Sequence, residues 1–153
     1  MRAPGRLESG VTLMELMVVV AIVGILAAIA YPAYTQFVMQ TNRTDATKTL
    51  QLAAQSLERC YSVNFSYLNC PVSGNASPNP VVNGSKMPTP NLYYTITFNI
   101  TGAQDYSLVA VPVAGPQLAD RQCQQFTLFS TGQQTAADIN NNPTPAQVCW
   151  GSN

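Results

Sequence analysis

Glu15 is a carboxylate in an expensive place. The run Val11–Tyr31 carries no other charge, and from Leu16 to Asn42 the only ionisable side chains are Tyr31 and Tyr34. A helix of about 20 apolar residues crosses roughly 30 Å of hydrocarbon. A carboxylate inside such a helix costs about 2.5–3.5 kcal/mol on insertion scales. A solvated position near the membrane surface would lower that cost, and a compensating cation would lower it further. Cleavage between Gly10 and Val11 would supply the cation, because it creates an α-amine with an ordinary pKa of about 7.7–8.0. Glu15 would then be the fifth residue of the shortened chain. The amine of one copy can pair with Glu15 of a neighbour when the helices pack side by side, so that both charges are compensated in apolar surroundings.

Other reactive residue types are scarce. The chain has no histidine, which removes His-based general bases, His-activated nucleophiles and His-ligated metals. No catalytic residue, metal site or cofactor is expected. Cys60, Cys70, Cys123 and Cys149 include no Cys-x-x-Cys pair, so zinc is disfavoured. Two disulfides in an oxidising compartment, or four buried thiols, are the readings left open. Three connectivities are possible. Cys60–Cys70 with Cys123–Cys149 is favoured because each bridge closes a local loop.

The elements around these residues are legible. Residues 1–10 contain Arg2, Arg6, Pro4 and Gly5 and do not resemble part of a fold. Arginines ahead of the apolar run keep the amino end in the cytoplasm and send the rest out. A Sec-type signal peptide would have a shorter apolar stretch, and neither it nor a plain anchor explains Glu15. Gly24 and Pro32 weaken the helix, with a kink expected at Pro32. The helix resumes and runs to about Arg59. Ala46, Leu50, Ala53, Leu57 and Tyr61 mark its inner face, with Asp45, Lys48, Gln51, Gln55 and Glu58 opposite. Arg43, Asp45 and Lys48 read as a solvated face, with inter-subunit contacts in a filament as the alternative. Residues 62–91 read as a long loop. The alternating run Leu92–Thr101, then Tyr106–Val113 and Phe126–Thr131, read as strands. The expected fold class is α+β: a long amino-terminal helix packed on a small antiparallel sheet of three or four strands, stapled by disulfides.

The run from Gly10 through Glu15 to Pro32 resembles the class III signal of type IV prepilins. The family usually has Phe where this chain has Val11. The resemblance implies that a prepilin peptidase cuts after Gly10 and methylates the new amine of Val11, and that Glu15 guides assembly. It also implies that the stretch from Gly24 to Pro32 can lose helicity in a filament. Cys123-Gln-Gln-Phe-Thr-Leu-Phe-Ser-Thr-Gly132, Cys149-Trp150 and Glu58-Arg-Cys60-Tyr resemble PilE-type minor pilins. The implied organisation is a leader over 1–10, a transmembrane and filament-core helix over 11–37, and an amphipathic half-helix with a periplasmic head over 38–153. A helix from Val11 to Arg59 would be about 75 Å long.

The implied function is a structural minor subunit, not an enzyme, that polymerises into or primes a type IV pilus for adhesion, twitching motility or DNA uptake. Its partners would be other pilins, the prepilin peptidase and the inner-membrane assembly platform. It would sit in the inner membrane with a cytoplasmic amino terminus, then in an extracellular filament or a periplasmic pseudopilus. The alternatives are a type II secretion pseudopilin and a tip-located adhesin or DNA-binding subunit. Direct nucleic-acid contact is disfavoured, since Lys86 and Arg121 are the only head cations beyond the helix. Asp138–Asn142 reads as a turn rather than a calcium loop, because it offers one carboxylate. Tyr67, Tyr93, Tyr94 and Trp150 read as core or subunit interface.

Overall fold

The computed structural model describes residues 11–72 and 78–151. Residues 1–10, the expected leader with Gly10, lie outside the described residues. The long helix α1 spans Leu13–Asn64, 52 residues, without a break at Pro32. Proline removes one intrahelical donor there, and the Thr35 hydroxyl donates to the Pro32 carbonyl at 2.9 Å. The helix also passes Arg59, its expected end, by more than one turn. It stops where Phe65 takes a left-handed φ of 54° and its N–H donates to the Tyr61 carbonyl at 2.7 Å. That is the position where a helix most often carries glycine.

Gln36 closes the first of two compact units and Phe37 opens the second. In the first unit the side chains from Leu13 to Tyr34 are exposed, apolar ones included. Such a surface is tolerated in hydrocarbon or against like helices. In the second unit the chain builds one six-stranded antiparallel sheet whose strands neighbour each other in sequence order. They are β1 (Lys86–Pro88), β2 (Tyr94–Ile100), β3 (Tyr106–Pro112), β4 (Gln125–Phe129), β5 (Gln134–Ala137) and β6 (Pro143–Thr144). A 3-10 helix, Gly115–Ala119, joins β3 to β4, and a short helix α2, Ala146–Trp150, follows β6.

The core lies between the inner face of α1 and one face of this sheet. Ala46, Leu50, Ala53 and Leu57 are buried, as the helical spacing predicts, whereas Tyr61 is only partly covered and Cys60 takes the last buried place. From the sheet come Tyr94, Ile96 and Phe98 of β2, Leu108 and Ala110 of β3, and Phe126 of β4. β2 alternates buried and half-buried residues along its whole length. Pro112 sits at the end of β3 opposite Tyr94, where a missing N–H does least harm. Cys60 is bonded to Cys70 and Cys123 to Cys149. The first bridge pins the segment after α1, and the second ties α2 to the start of β4.

The expectation of three or four strands is too low. β1, β5 and β6 have three, four and two residues. Segments that short show no alternation of their own, and they are strands because a neighbour supplies the ladder. β1 lies inside the stretch read as loop.

Candidate functional site

The amino end of α1 is set by Thr12. Its hydroxyl accepts the backbone N–H of Glu15 at 3.2 Å, and its carbonyl accepts the N–H of Leu16 at 3.1 Å. Thr12 is thus the N-cap, satisfying donors that the first helical turn leaves unpaired. Val11 lies just before the helix, and Glu15 lies in its first turn, exposed. An acidic residue there is favoured by the helix dipole. Beside it Thr12, Met14, Val18 and Val19 form an open, largely apolar surface. Thr12 was legible: Thr12-x-x-Glu15 has the spacing of a capping box, though sequence reasoning gave Glu15 only its charge. Gly24 has open space where a side chain would be, so nothing packed in this chain requires glycine there. Pro32 lies inside α1.

A second polar constellation lies in the head. Arg43 forms a two-pronged pair with Asp120, Nε to Oδ2 at 2.6 Å and Nη2 to Oδ1 at 2.8 Å. The Asp120 side chain is 2% exposed and that of Arg43 18%. Asp120 Oδ1 also accepts the N–H groups of Gln122 and Cys123, each at 3.1 Å, next to the Cys123–Cys149 bridge. Gln117, fully buried, donates to the Met39 carbonyl at 3.1 Å and to the Tyr94 hydroxyl at 2.8 Å. It accepts from Asn42 at 3.3 Å. Burial pushes the Tyr94 hydroxyl up to about 12, against the opposing effect of the Gln117 hydrogen bond. This network locks the 3-10 helix onto α1. Arg43 is therefore not part of a solvated face. Its partner lies 77 residues away, and helical spacing carries no signal of it.

At the other end of the inner face, Glu58 accepts the hydroxyls of Tyr67 at 3.0 Å and Tyr106 at 3.0 Å. Burial, then the hydrogen bond to Glu58, pushes Tyr67 up to about 12, and the same causes raise Tyr106 further. Tyr67 stacks on Tyr61 and meets Tyr106 edge-on. Asp138 accepts the N–H groups of Asn140 and Asn142, each at 2.8 Å. These bonds, with the Asn142 side chain foremost, hold its carboxyl below the usual range. Its oxygens are thus used within the turn. Tyr94 and Trp150 meet Phe126 edge-on in the core.

The arrangement has the marks of a subunit that assembles through its helix: a capped carboxylate near the amino end, a bare apolar helical surface, and a head locked by disulfides and a buried ion pair. Comparison with known proteins agrees. The prokaryotic N-terminal methylation motif matches residues 5–31. The family described as "Type IV minor pilin ComP, DNA uptake sequence receptor" matches residues 32–127. That is well over half of the chain, and the chain belongs to this family of minor type IV pilins. Among solved structures it is similar to one titled "High-Resolution Structure of a Type IV Pilin from Shewanella oneidensis", with 28% identity over 73% of this chain and 97% of that one, at a TM-score of 0.47. No curated protein gives a significant match. The methylation signal and the apolar helix fit anchoring in the inner membrane before assembly into an extracellular pilus.

Proposed function

We propose that the chain acts only as a filament subunit: a prepilin peptidase cuts it between Gly10 and Val11, Val11 is N-methylated, and Glu15 then neutralises the amine of a neighbouring subunit as the helices pack. The observation that carries this reading is the capped Glu15, the only charge from Val11 to Asn42. An unpaired carboxylate in the filament core would be strongly unfavourable, and pairing with the amine compensates both groups. The partners are other pilins, the peptidase and the assembly platform, and the chain is a substrate rather than a catalyst. Within the filament Gly24 and Pro32 supply the weak stretch of α1, since glycine costs about 1 kcal/mol in a helix interior and proline about 3.

Two substitutions test the reading. Replacing Gly10 by Val should leave an uncut, unassembled precursor. Glu15→Ala should be cut normally yet yield few filaments; normal filament numbers from that variant would refute the pairing.

The family description favours a second reading, in which the head also contacts DNA. The charge balance argues for a weak contact. Outside Arg2, Arg6, Glu8 and Glu15, five basic and five acidic residues remain, and Arg43 is already tied to Asp120. Phosphate contacts dominate DNA affinity and make it salt-dependent. A band-shift titration of the detergent-solubilised chain at two salt concentrations separates the readings. Tight, steeply salt-dependent binding would favour the receptor.

A further inference from the structure

One end of the head is ringed by exposed aliphatic side chains. At this end β1, β3 and β5 stop and β2, β4 and β6 start, as the pairings Tyr94↔Pro112, Ala110↔Phe126, Gln125↔Ala137 and Ala137↔Pro143 require. The three connections there carry four such residues: Leu92 between β1 and β2, Val113 and Leu118 between β3 and β4, and Ile139 between β5 and β6; Val148 of α2 is a fifth, brought to this end by the Cys123–Cys149 bridge. They are 63, 50, 54, 53 and 46% exposed. At the opposite end the hairpin turns 101–105 and 130–133 are polar, and the exposed apolar side chains there, Val63, Phe65, Leu68 and Val82, lie around the end of α1 and the segment before β1. Four aliphatics on the three connections of this end, with Val148 held beside them, group together rather than scatter singly.

This end is also where the chain enters the head. Gln117, beside Leu118, bonds the Met39 carbonyl, and the N–H of Asn91, beside Leu92, donates to Asp45 at 3.4 Å. Val148 and Trp150 border the same small hollow as Gln40 and Arg43. The preceding residues are the membrane helix, closing with Tyr31, Tyr34 and Phe37, exposed aromatics at three-residue spacing. Aromatic residues collect at the membrane–water boundary. From Tyr34 to Met39 the chain can span at most about 18 Å even if fully extended, and the polar zone of a bilayer adds about 5–7 Å on each side. The charged groups at this end are Asp45, Asp138 and Arg121, together with the Arg43–Asp120 pair.

We infer that this end of the head rests on the outer surface of the inner membrane before assembly, its five aliphatics among the lipid headgroups. The inference rests on the membrane anchoring of α1. Entry into the filament must then lift the head off the bilayer and exchange this lipid contact for protein.

Trp150 is the only tryptophan and lies two residues from Val148, so it reports on the contact directly. The full chain is reconstituted into phosphatidylethanolamine–phosphatidylglycerol vesicles with or without a headgroup-nitroxide lipid. Trp150 emission should fall about twofold with the nitroxide, and Leu92→Glu with Leu118→Glu, both distant in sequence from Trp150, should restore most of it. Unchanged emission from wild-type chain that floats with the vesicles would overturn the inference. So would quenching that disappears as protein is diluted into lipid, which would mark a contact between copies. Chain that does not float would contradict the anchor reading itself.

Discussion

Asp120 shows what a single residue carries in this head. Its carboxylate is almost fully buried, and Arg43 with two backbone N–H groups is what compensates it. Removing one partner of a buried pair leaves an uncompensated charge, at a cost of about 3–5 kcal/mol. Arg43→Met should lower stability by that order, read by urea unfolding of the solubilised chain through Trp150 fluorescence. An alternative assignment of Arg43 to a solvated face predicts almost no change. Tyr94 gives a pH signature. Its hydroxyl ordinarily ionises near 10.0 and here near about 12, so the folded chain holds that proton more tightly than the unfolded one. The stabilisation is complete below about pH 10 and fades as pH rises through about 12. Tyr94→Phe should flatten the alkaline limb of the stability curve, although Gln117 then loses one acceptor. A limb as steep as that of the parent would assign it to other groups.

At the scale of elements, α1 and the two best strands were written plainly in the sequence. Ala46, Leu50, Ala53 and Leu57 recur at helical spacing, and β2 alternates at every position, because one face of each element is buried and the other is not. Leu50→Ala should cost about 2–5 kcal/mol, measured by the same unfolding assay, since Leu50 is wholly buried. What stayed hidden was whatever depends on a distant partner. β1, β5 and β6 are too short to show a period, the Arg43–Asp120 pair spans 77 residues, and Gln117 reads as a surface residue until the chain folds over it. At the amino end Glu15 stands out by its apolar setting, and the Thr12-x-x-Glu15 spacing carries the cap that the structure shows. The Cys123–Cys149 bridge closes a segment of 26 residues, worth about 3–4 kcal/mol in the chain-entropy model. Replacing both cysteines by serine should destabilise the chain by that order and free α2, which holds one side of the membrane-facing end.

The whole molecule divides its chemistry between its parts. The head is balanced in charge and closed by two disulfides, which suits a solvent-facing body in an oxidising compartment. The amino-terminal helix keeps a bare apolar surface and one acid, which is unfavourable in isolation and useful only when another copy or a bilayer covers it. Membership of the minor type IV pilins joins these parts into one life history: insertion, trimming, then removal from lipid into a polymer. Trimming is the step on which the proposed pairing depends, because it would create the cation for Glu15. The direct measurement is intact-mass spectrometry of this subunit recovered from sheared filaments. The account predicts a chain that begins at Val11 and carries one extra methyl group; subunits that still bear Met1 within assembled filaments would contradict it.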